Sequence, residues 1–278
     1  MYDLNGKVAV VTGAGSGIGR ALAQGFAAKG CKLAIADINE ANLAETARSL
    51  GTEVYAQKLD VADRAAVYDF ANAVKQKFGA AHVVVNNAGV AVSQTIDLLE
   101  YKDFEWLMNI NFWGVVYGTK AFLPILLAQN DGAIVNISSV FGIIAVPSQG
   151  AYNSAKFAVK GFTECLRHEL REAGSNVRSI CVHPGGIKTN IVRNARAYKT
   201  FDGRTDKELM VKQFEQGAQT TPVGAARTII DGVERGKVRV LIGGDARMID
   251  WIARLMPVRY WNLLGKVTRW LMAREVKR

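Results

Sequence analysis

The stretch VAVVTGAGSGIG, residues 8–19, joins an apolar run to a glycine-rich turn. The continuous apolar run is typical of a strand that is covered on both faces of a parallel sheet. The glycines allow a tight turn and a close approach of the backbone to a phosphate, and a helix that starts there would present free N–H groups to it. We therefore predict that this turn holds the pyrophosphate of a dinucleotide. The residues predicted to hold it are Gly13, Gly15, Ser16, Gly17, Ile18 and Gly19.

Outward from this turn, short apolar runs alternate with helical patterns along most of the chain. The further strand-like runs cover 32–37, 53–59, 82–86, 133–138, 177–183 and 238–242. The helical patterns cover 18–29, 40–50, 64–78, 104–128, 151–173 and 224–235. This alternation predicts an α/β fold, a doubly wound seven-stranded parallel sheet of the Rossmann type. We predict one domain over residues 1–244 with a polar substrate lid at 188–219, followed by a basic amphipathic helical tail at 245–278.

Composition limits the classes of protein to consider. Of the 278 residues, 49% are hydrophobic and 22% are charged, which favours a soluble globular protein over a disordered or fibrous one. Three widely separated cysteines and three histidines without ligand spacing predict a reducing compartment and no metal site. The sequence shows neither a signal peptide nor a run of about 18 apolar residues. We therefore expect a cytoplasmic protein without a spanning helix.

Half of the net charge of +10 lies in the tail, where eight Lys/Arg face three Asp/Glu. No recognised nucleic-acid motif accompanies this charge, so we predict no nucleic-acid partner. The basic residues are interleaved with apolar ones at helical spacing, among them Met248, Trp251, Ile252 and Leu255. Two interpretations stay open: peripheral contact of the tail with a membrane, or packing on the protein or a partner subunit.

Asp37 ends the second strand-like run, 18 residues after Gly19. A carboxylate at this place accepts hydrogen bonds from the adenosine ribose and repels a 2′-phosphate, and the next residue, Ile38, offers that phosphate no charge. We therefore predict NAD as the cofactor, with NADP less favoured. Further predicted cofactor contacts follow the third and fourth runs, at Asp60, Val61, Asn87, Ala88 and Gly89.

Tyr152 and Lys156 are four residues apart, which places both on one face of a helix. We expect the lysine charge to lower the pKa of the tyrosine from its usual value of about 10, so that the phenol can exchange a proton with an alcohol or carbonyl. Ser139, at the end of the fifth run, is placed to hydrogen-bond the same oxygen. Asn111, in an apolar helix, either anchors a relay water or braces the helix.

In these motifs the chain resembles the short-chain dehydrogenase/reductase family, over about residues 4–242. The family's T-G-x-x-x-G-x-G motif is matched over residues 12–19, and its N-N-A-G motif at 86–89. Its catalytic tetrad falls on Asn111, Ser139, Tyr152 and Lys156. The resemblance also implies cofactor contacts from Tyr152, Lys156, Pro184, Gly185, Ile187 and Thr189. Of these, Lys156 would bind the nicotinamide ribose, and Ile187 and Thr189 would hold the nicotinamide carboxamide. It further implies a homodimer or homotetramer.

From these motifs we predict an NAD(H)-dependent oxidoreductase that interconverts a lipophilic secondary alcohol and its carbonyl compound. The apolar segment 141–147, which lies between Ser139 and Tyr152, favours a lipophilic substrate unless it packs against the lid or a partner. The alternatives are an NADPH-dependent carbonyl reductase, and a non-catalytic NAD-binding scaffold or sensor docked through its tail. The lid carries four basic residues that either meet an anionic substrate or face solvent, namely Arg193, Arg196, Lys199 and Arg204.

Overall fold

The computed structural model describes residues 1–197 and 207–266. Its strands are β1 (Val8–Thr12), β2 (Lys32–Asp37), β3 (Val54–Lys58), β4 (Val83–Asn86), β5 (Val92–Ser93), β6 (Ala133–Ile137), β7 (Arg178–Pro184), β8 (Arg196–Ala197) and β9 (Arg239–Ile242). Seven of them form one sheet in the order β3-β2-β1-β4-β6-β7-β9, and every neighbouring pair is parallel. The predicted doubly wound seven-stranded sheet is therefore confirmed.

The α-helices are α1 (Gly17–Ala28), α2 (Glu40–Arg48), α3 (Arg64–Phe78), α4 (Tyr101–Met108), α5 (Gly114–Gln129), α6 (Gly150–Glu172), α7 (Lys207–Gly217), α8 (Pro222–Glu234) and α9 (Gly244–Leu255). A π-helical turn, Asn109–Trp113, joins α4 to α5, and a 3₁₀ turn, Val140–Gly142, follows β6. A further helical segment covers 260–266.

The core lies on both faces of the sheet. On one face Phe26 of α1 and Ile229 of α8 are completely buried, and on the other Phe70 of α3 packs edge to face against Phe122 of α5. Full burial of such a side chain stabilises the fold by roughly 1.5–3 kcal/mol. The sheet between these layers holds the carboxyl ends of its strands at one edge, where open α/β sheets bind ligands.

The lid region has more regular structure than a long polar connection indicates. Strand β8 pairs in parallel with β5, and α7 follows within the same region. Neither short strand nor α7 was predicted. Two of the four basic residues named for the lid, Lys199 and Arg204, lie outside the described residues.

One helical run, Tyr101–Gln129, is by length and composition apolar enough to cross a membrane, although polar residues such as Asn111 and Lys120 interrupt its apolar sequence. Half of its most apolar window is buried. Phe122 and Leu126 from this run lie in the core against α3. The burial is that of a core helix of an α/β domain.

Candidate active site

The glycine turn between β1 and α1 leaves no room for side chains. Gly13 and Gly17 adopt φ angles of +66° and +53°, which are open to glycine at little cost. A Cβ on Gly19 would collide with the carbonyl oxygen of Gly13. Ser16 makes no side-chain cap, and the first turn of α1 contains no acidic residue. The N–H groups at this end are therefore free of side-chain caps, and the turn fits a pyrophosphate.

Asp37 is fixed against this turn by two hydrogen bonds. Its Oδ2 accepts from the backbone N–H of Gly15 at 2.8 Å, and its Oδ1 accepts from that of Asn39 at 2.8 Å. A carboxylate held in this way still has lone pairs to accept hydrogen bonds from ribose hydroxyls. The neighbouring Ile38 is 61% exposed and brings no charge to the place. The donor and acceptor set at this edge fits the adenosine ribose of a nicotinamide dinucleotide.

The turn after β4 is bound directly to the glycine turn. Oγ1 of Thr12 accepts from the backbone N–H groups of Asn87 and Ala88 at 3.1 and 3.2 Å. Nδ2 of Asn87 donates to the carbonyl oxygen of Thr12 at 2.9 Å. A Cβ on Gly13 would lie only 2.8 Å from Cα of Ala88. The two predicted cofactor motifs are therefore neighbours in space.

Asp60 and Val61 lie just after β3, at the rim of the site. Asp60 is exposed, and its Oδ1 accepts from the backbone N–H of Ala62 at 2.9 Å, so this carboxylate caps its own turn. Val61 is buried, and its Cγ2 would lie 2.8 Å from a Cβ on Gly114. Both residues shape the rim, and their direct contact with the cofactor stays a prediction.

The loop that follows β7 returns to the glycine turn. A Cβ on Gly17 would lie 3.2 Å from Cγ2 of Thr189, and Ile187 is buried. The backbone N–H of Gly186 donates to Oδ2 of Asp245 at 2.7 Å, and that of Gly185 donates to the carbonyl oxygen of Ile242 at 3.0 Å. The loop that begins at Pro184 and Gly185 is thus held in place by the first turn of α9. Asp245 was not predicted as a functional residue. The only signal in the sequence is the pair Gly243 and Gly244 before it, which is typical of a tight turn at the start of a helix.

Ser139, Tyr152 and Lys156 meet where β6 ends and α6 begins. The Ser139 side chain lies beside Tyr152 and lowers the pKa of its phenol, and the ring of Phe141 packs edge to face on Tyr152 at 6.0 Å. Nζ of Lys156 lies 5.5 Å from the centre of the Tyr152 ring and donates to the carbonyl oxygen of Ile137 at 3.0 Å. The structure therefore brings three members of the predicted tetrad together.

The electrostatics of this pair differ from the prediction. Burial raises the pKa of Tyr152 to about 12, against the opposing hydrogen bond with Ser139. Burial also lowers the pKa of Lys156 to about 8. The prediction that Lys156 lowers the tyrosine pKa is therefore wrong for the chain by itself. Loss of water around the phenol is the larger effect, and the Lys156 ammonium is bonded to a backbone carbonyl.

Asn111, the fourth member, lies fully buried in the π-helical turn. Its Oδ1 accepts from the backbone N–H of Val90, and its Nδ2 donates to the carbonyl oxygen of Val90, both at 2.8 Å. A Cβ on Gly89 would lie 3.3 Å from this Oδ1 and 3.7 Å from Nζ of Lys156. Of the two interpretations, the side chain serves as a brace for the segment after β4. The relay water stays a prediction.

His183 is a contributor that sequence reasoning missed. Its Nδ1 lies 3.0 Å from the carbonyl oxygen of Ser139, and because a carbonyl only accepts, Nδ1 carries the proton. Its Nε2 is buried without a partner among the described residues. Burial lowers the pKa of His183 to about 4. This neutral ring holds the end of the strand that carries Ser139. The only feature of the sequence that could have indicated this role is the position of His183 directly before Pro184.

The burial of His183 predicts a specific loss of stability in acid. Its pKa is about 4 in the folded protein and about 6.5 when unfolded, so the unfolded chain gains the proton first as the pH falls. Between pH 7 and pH 4.5, the unfolding free energy of the wild type should fall by about 2 kcal/mol more than that of His183→Asn. The asparagine keeps an N–H for the Ser139 carbonyl. Urea unfolding at the two pH values measures this difference.

The matched control is His168→Asn, because His168 is exposed on α6. This variant should lose stability in acid as the wild type does. An equal acid loss in His183→Asn and the wild type would show that His183 does not stay neutral in the folded protein.

Arg193 and Arg196, the two basic lid residues that the structure describes among the four named, are paired within the protein. Nη1 of Arg196 donates to Oδ1 of the buried Asp103 at 2.6 Å, and its guanidinium lies 3.6 Å from the centre of the Trp106 ring. Arg193 forms an ion pair with Glu215 of α7. Each of these two arginines has a carboxylate partner in the chain, which weighs against the interpretation that they meet an anionic substrate.

The apolar segment 141–147 lies beside the catalytic residues, as its position between Ser139 and Tyr152 indicates. Ile144 is buried, whereas Ala145 and Pro147 are exposed. The backbone N–H of Ala145 donates to the hydroxyl of Tyr260 at 2.9 Å. The segment is thus contacted by the tail of its own chain.

Comparison with known proteins agrees with this geometry. The model of the short chain dehydrogenase family matches residues 7–200. The putative oxidoreductase SadH of Mycobacterium tuberculosis is 50% identical over 268 residues, which are 95% of this chain and 96% of that protein. Estradiol 17-beta-dehydrogenase 11 of Mus musculus is 30% identical over 263 residues, 93% and 83% of the two chains. A solved short chain dehydrogenase/reductase from Burkholderia phymatum, in complex with NAD, has a TM-score of 0.85 at 32% identity and covers 91% of this chain and 95% of its own.

Proposed function

The chain belongs to the short-chain dehydrogenase/reductase family of oxidoreductases that act on CH–OH groups, and we propose that it interconverts a lipophilic secondary alcohol and its carbonyl compound with NAD(H). The observation that carries the proposal is the meeting of Ser139, Tyr152 and Lys156 beside the apolar segment 141–147. An acid–base group next to an apolar wall suits a substrate that has one polar oxygen and an apolar body.

The chain's own residues supply the proton chemistry. In alcohol oxidation the Tyr152 phenolate takes the hydroxyl proton, and the Ser139 hydroxyl donates a hydrogen bond to the same substrate oxygen. The pKa of Tyr152, about 12 in the chain alone, must fall for this role. Ser139 favours the phenolate in the chain alone. In the complex with cofactor, we assign the further lowering to the nearby Lys156 ammonium, which is mostly charged below its pKa of about 8. In carbonyl reduction the neutral phenol donates instead.

NAD supplies the hydride acceptor when it is bound at the carboxyl edge of the sheet. We assign its phosphates to the N-terminus of α1 and its adenosine ribose to Asp37. The residues assigned to its nicotinamide half are Tyr152, Lys156, Pro184, Gly185, Ile187 and Thr189. The likeness to a solved relative in complex with NAD supports this assignment. The carboxylate of Asp37 weighs against the NADPH-dependent alternative.

Two further observations support a lipophilic substrate and an active enzyme. A relative 30% identical to this chain bears the name of a steroid dehydrogenase, and a steroid is a large apolar alcohol. Tyr152, with Ser139 and Lys156 beside it, forms an acid–base set that a non-catalytic scaffold does not require. We therefore favour the dehydrogenase over the scaffold or sensor.

We expect the rate of NAD reduction to rise with the apolar size of the alcohol. Each methylene buried on binding contributes about 0.8 kcal/mol, so kcat/KM should rise up to about 4-fold per carbon from 2-butanol to 2-octanol. A steroid alcohol extends the series. A kcat/KM that stays flat or falls with chain length would contradict the lipophilic substrate. If NAD binds but the protein oxidises none of the alcohols, the non-catalytic scaffold is favoured.

We further propose a cytoplasmic homodimer or homotetramer. The outer surface of the helices around the site carries an aromatic cluster, in which Trp113 and Phe157 are 43% and 42% exposed. Trp113 stacks on Tyr117, and Phe112 packs edge to face on Phe162. Exposed aromatic clusters of this kind mark contacts between proteins, and they support a pairing of subunits through α5 and α6.

A further inference from the structure

Helix α9 carries its apolar stripe on the outside of the protein. Met248, Trp251 and Leu255 recur at helical spacing and are 53%, 66% and 75% exposed. Val258, just beyond the helix, is 89% exposed. A helix on the surface of a soluble protein normally turns such a stripe towards the core. The outward direction of this stripe therefore requires an explanation.

Hydrogen bonds on the opposite side of α9 fix this orientation. Oδ2 of Asp245 accepts from the backbone N–H of Gly186 at 2.7 Å. Asp250 is buried, and its two oxygens accept from the guanidinium of Arg239 at 2.6 and 2.9 Å. Ala246 is fully buried between these two positions. Rolling the apolar stripe inward would break these bonds and leave Arg239 without its carboxylate, so the stripe is held in solvent.

The same arrangement makes the outer surface positive. Both acidic residues of the helix face the body of the protein, whereas Arg247 and Arg254 flank the apolar stripe and are exposed. Arg254 contacts Asp250 from outside at 3.2 Å, and no ion pair joins Arg247 to another described residue. Tryptophan and leucine between arginines complement an interface where apolar chains lie below anionic headgroups.

The tail also lies next to the substrate side of the enzyme. Helix α9 packs against the 3₁₀ turn Val140–Gly142. The hydroxyl of Tyr260 accepts from the backbone N–H of Ala145 at 2.9 Å. A surface bound through α9 would therefore lie close to the apolar segment 141–147.

We propose that the docking face, formed by Met248, Trp251, Leu255, Val258, Arg247 and Arg254, binds the surface of an anionic phospholipid bilayer. Membrane binding would deliver an alcohol dissolved in the bilayer to segment 141–147. This consequence rests on the proposed function, but the binding itself does not. A second copy of the chain is a weaker occupant. A two-fold contact through this face would bring Arg247 and Arg254 towards their own copies, and like charges at an interface oppose association.

Co-sedimentation of the full chain with vesicles tests the proposal. We expect binding to phosphatidylcholine vesicles that contain about 30% phosphatidylglycerol, and at least about 10-fold weaker binding to pure phosphatidylcholine. Trp251→Glu/Leu255→Glu should weaken anionic binding at least about 10-fold. Arg247→Gln should weaken it about 5-fold. Val223→Glu, an equally exposed apolar position on α8, is the control and should bind as the wild type does.

The kcat/KM of each variant on 2-butanol, together with its mass by light scattering, distinguishes the outcomes. Unchanged activity with lost vesicle binding supports the proposal and excludes misfolding as the cause. Equal vesicle binding by the double variant, or no binding by the wild type, overturns it. A double variant that falls apart into smaller oligomers assigns the face to another copy of the chain and also overturns it. Vesicle binding by a protein that oxidises no alcohol leaves the docking face intact and refutes only the proposed function.

Discussion

Replacing Tyr152 by Phe lowers kcat for alcohol oxidation by at least about 100-fold, because general acid–base groups contribute about 10²–10⁴-fold to such steps. The change removes only the phenol hydroxyl, which lies beside Ser139. The ring contact with Phe141 at 6.0 Å and the place of Lys156 against the ring are retained. The fold should therefore change little, and the affinity for NAD should fall by much less than kcat. Steady-state kinetics and NAD binding by calorimetry measure the two effects separately.

Tyr68→Phe is the matched control, since Tyr68 is 39% exposed on α3, on the outer surface of the domain. It should retain the activity of the wild type. A Tyr152→Phe enzyme that keeps more than about a tenth of the wild-type kcat would show that another group carries the proton. Parallel loss of NAD affinity and of kcat would instead assign Tyr152 to binding.

The fold could be predicted largely because its signals are local. Strands β1 and β2 and helix α3 begin and end where the apolar runs and the helical pattern do. The short strands β5 and β8 could not be found, since two residues carry no periodicity. Helix α7 was not predicted because it lies within the polar lid segment. Its Glu215 forms an ion pair with Arg193 at the start of the same segment.

The site shows the same division between local and long-range information. Motif spacing predicted that Ser139, Tyr152 and Lys156 lie together, and the structure brings them together, but the pKa of Tyr152 depends on burial by the folded chain, which no motif encodes. His183 reaches Ser139 across 44 residues, Asp245 reaches Gly186 across 59, and Arg196 reaches Asp103 across 93. Such partners follow only from the order of the strands and from the packing of the helices on them.

Exchanging Asp37 for Ser and Ile38 for Arg reverses the cofactor preference. In the wild type we expect NAD to be favoured, because the Asp37 carboxylate accepts hydrogen bonds from a ribose and repels a 2′-phosphate. Hydrogen bonds to a charged group contribute about 1.5–3 kcal/mol, so kcat/KM with NAD should fall about 10- to 100-fold in the double variant. The arginine adds a charge for the phosphate, and kcat/KM with NADP should rise. Ratios of kcat/KM for the two cofactors measure the reversal.

The single variants show why both changes are needed. Asp37→Ser alone removes the repulsion and also the acceptor that Gly15 uses at 2.8 Å, so it weakens NAD without creating a phosphate site. Ile38→Arg alone places its charge beside the Asp37 carboxylate, which neutralises it. Ile38 is 61% exposed, so the arginine costs no core packing, and the two effects should be strongly non-additive. Asp69→Ser, on the exposed surface of α3, should leave the ratio unchanged. A wild-type enzyme that already uses NADP as well as NAD would show that the Asp37 carboxylate does not select the cofactor.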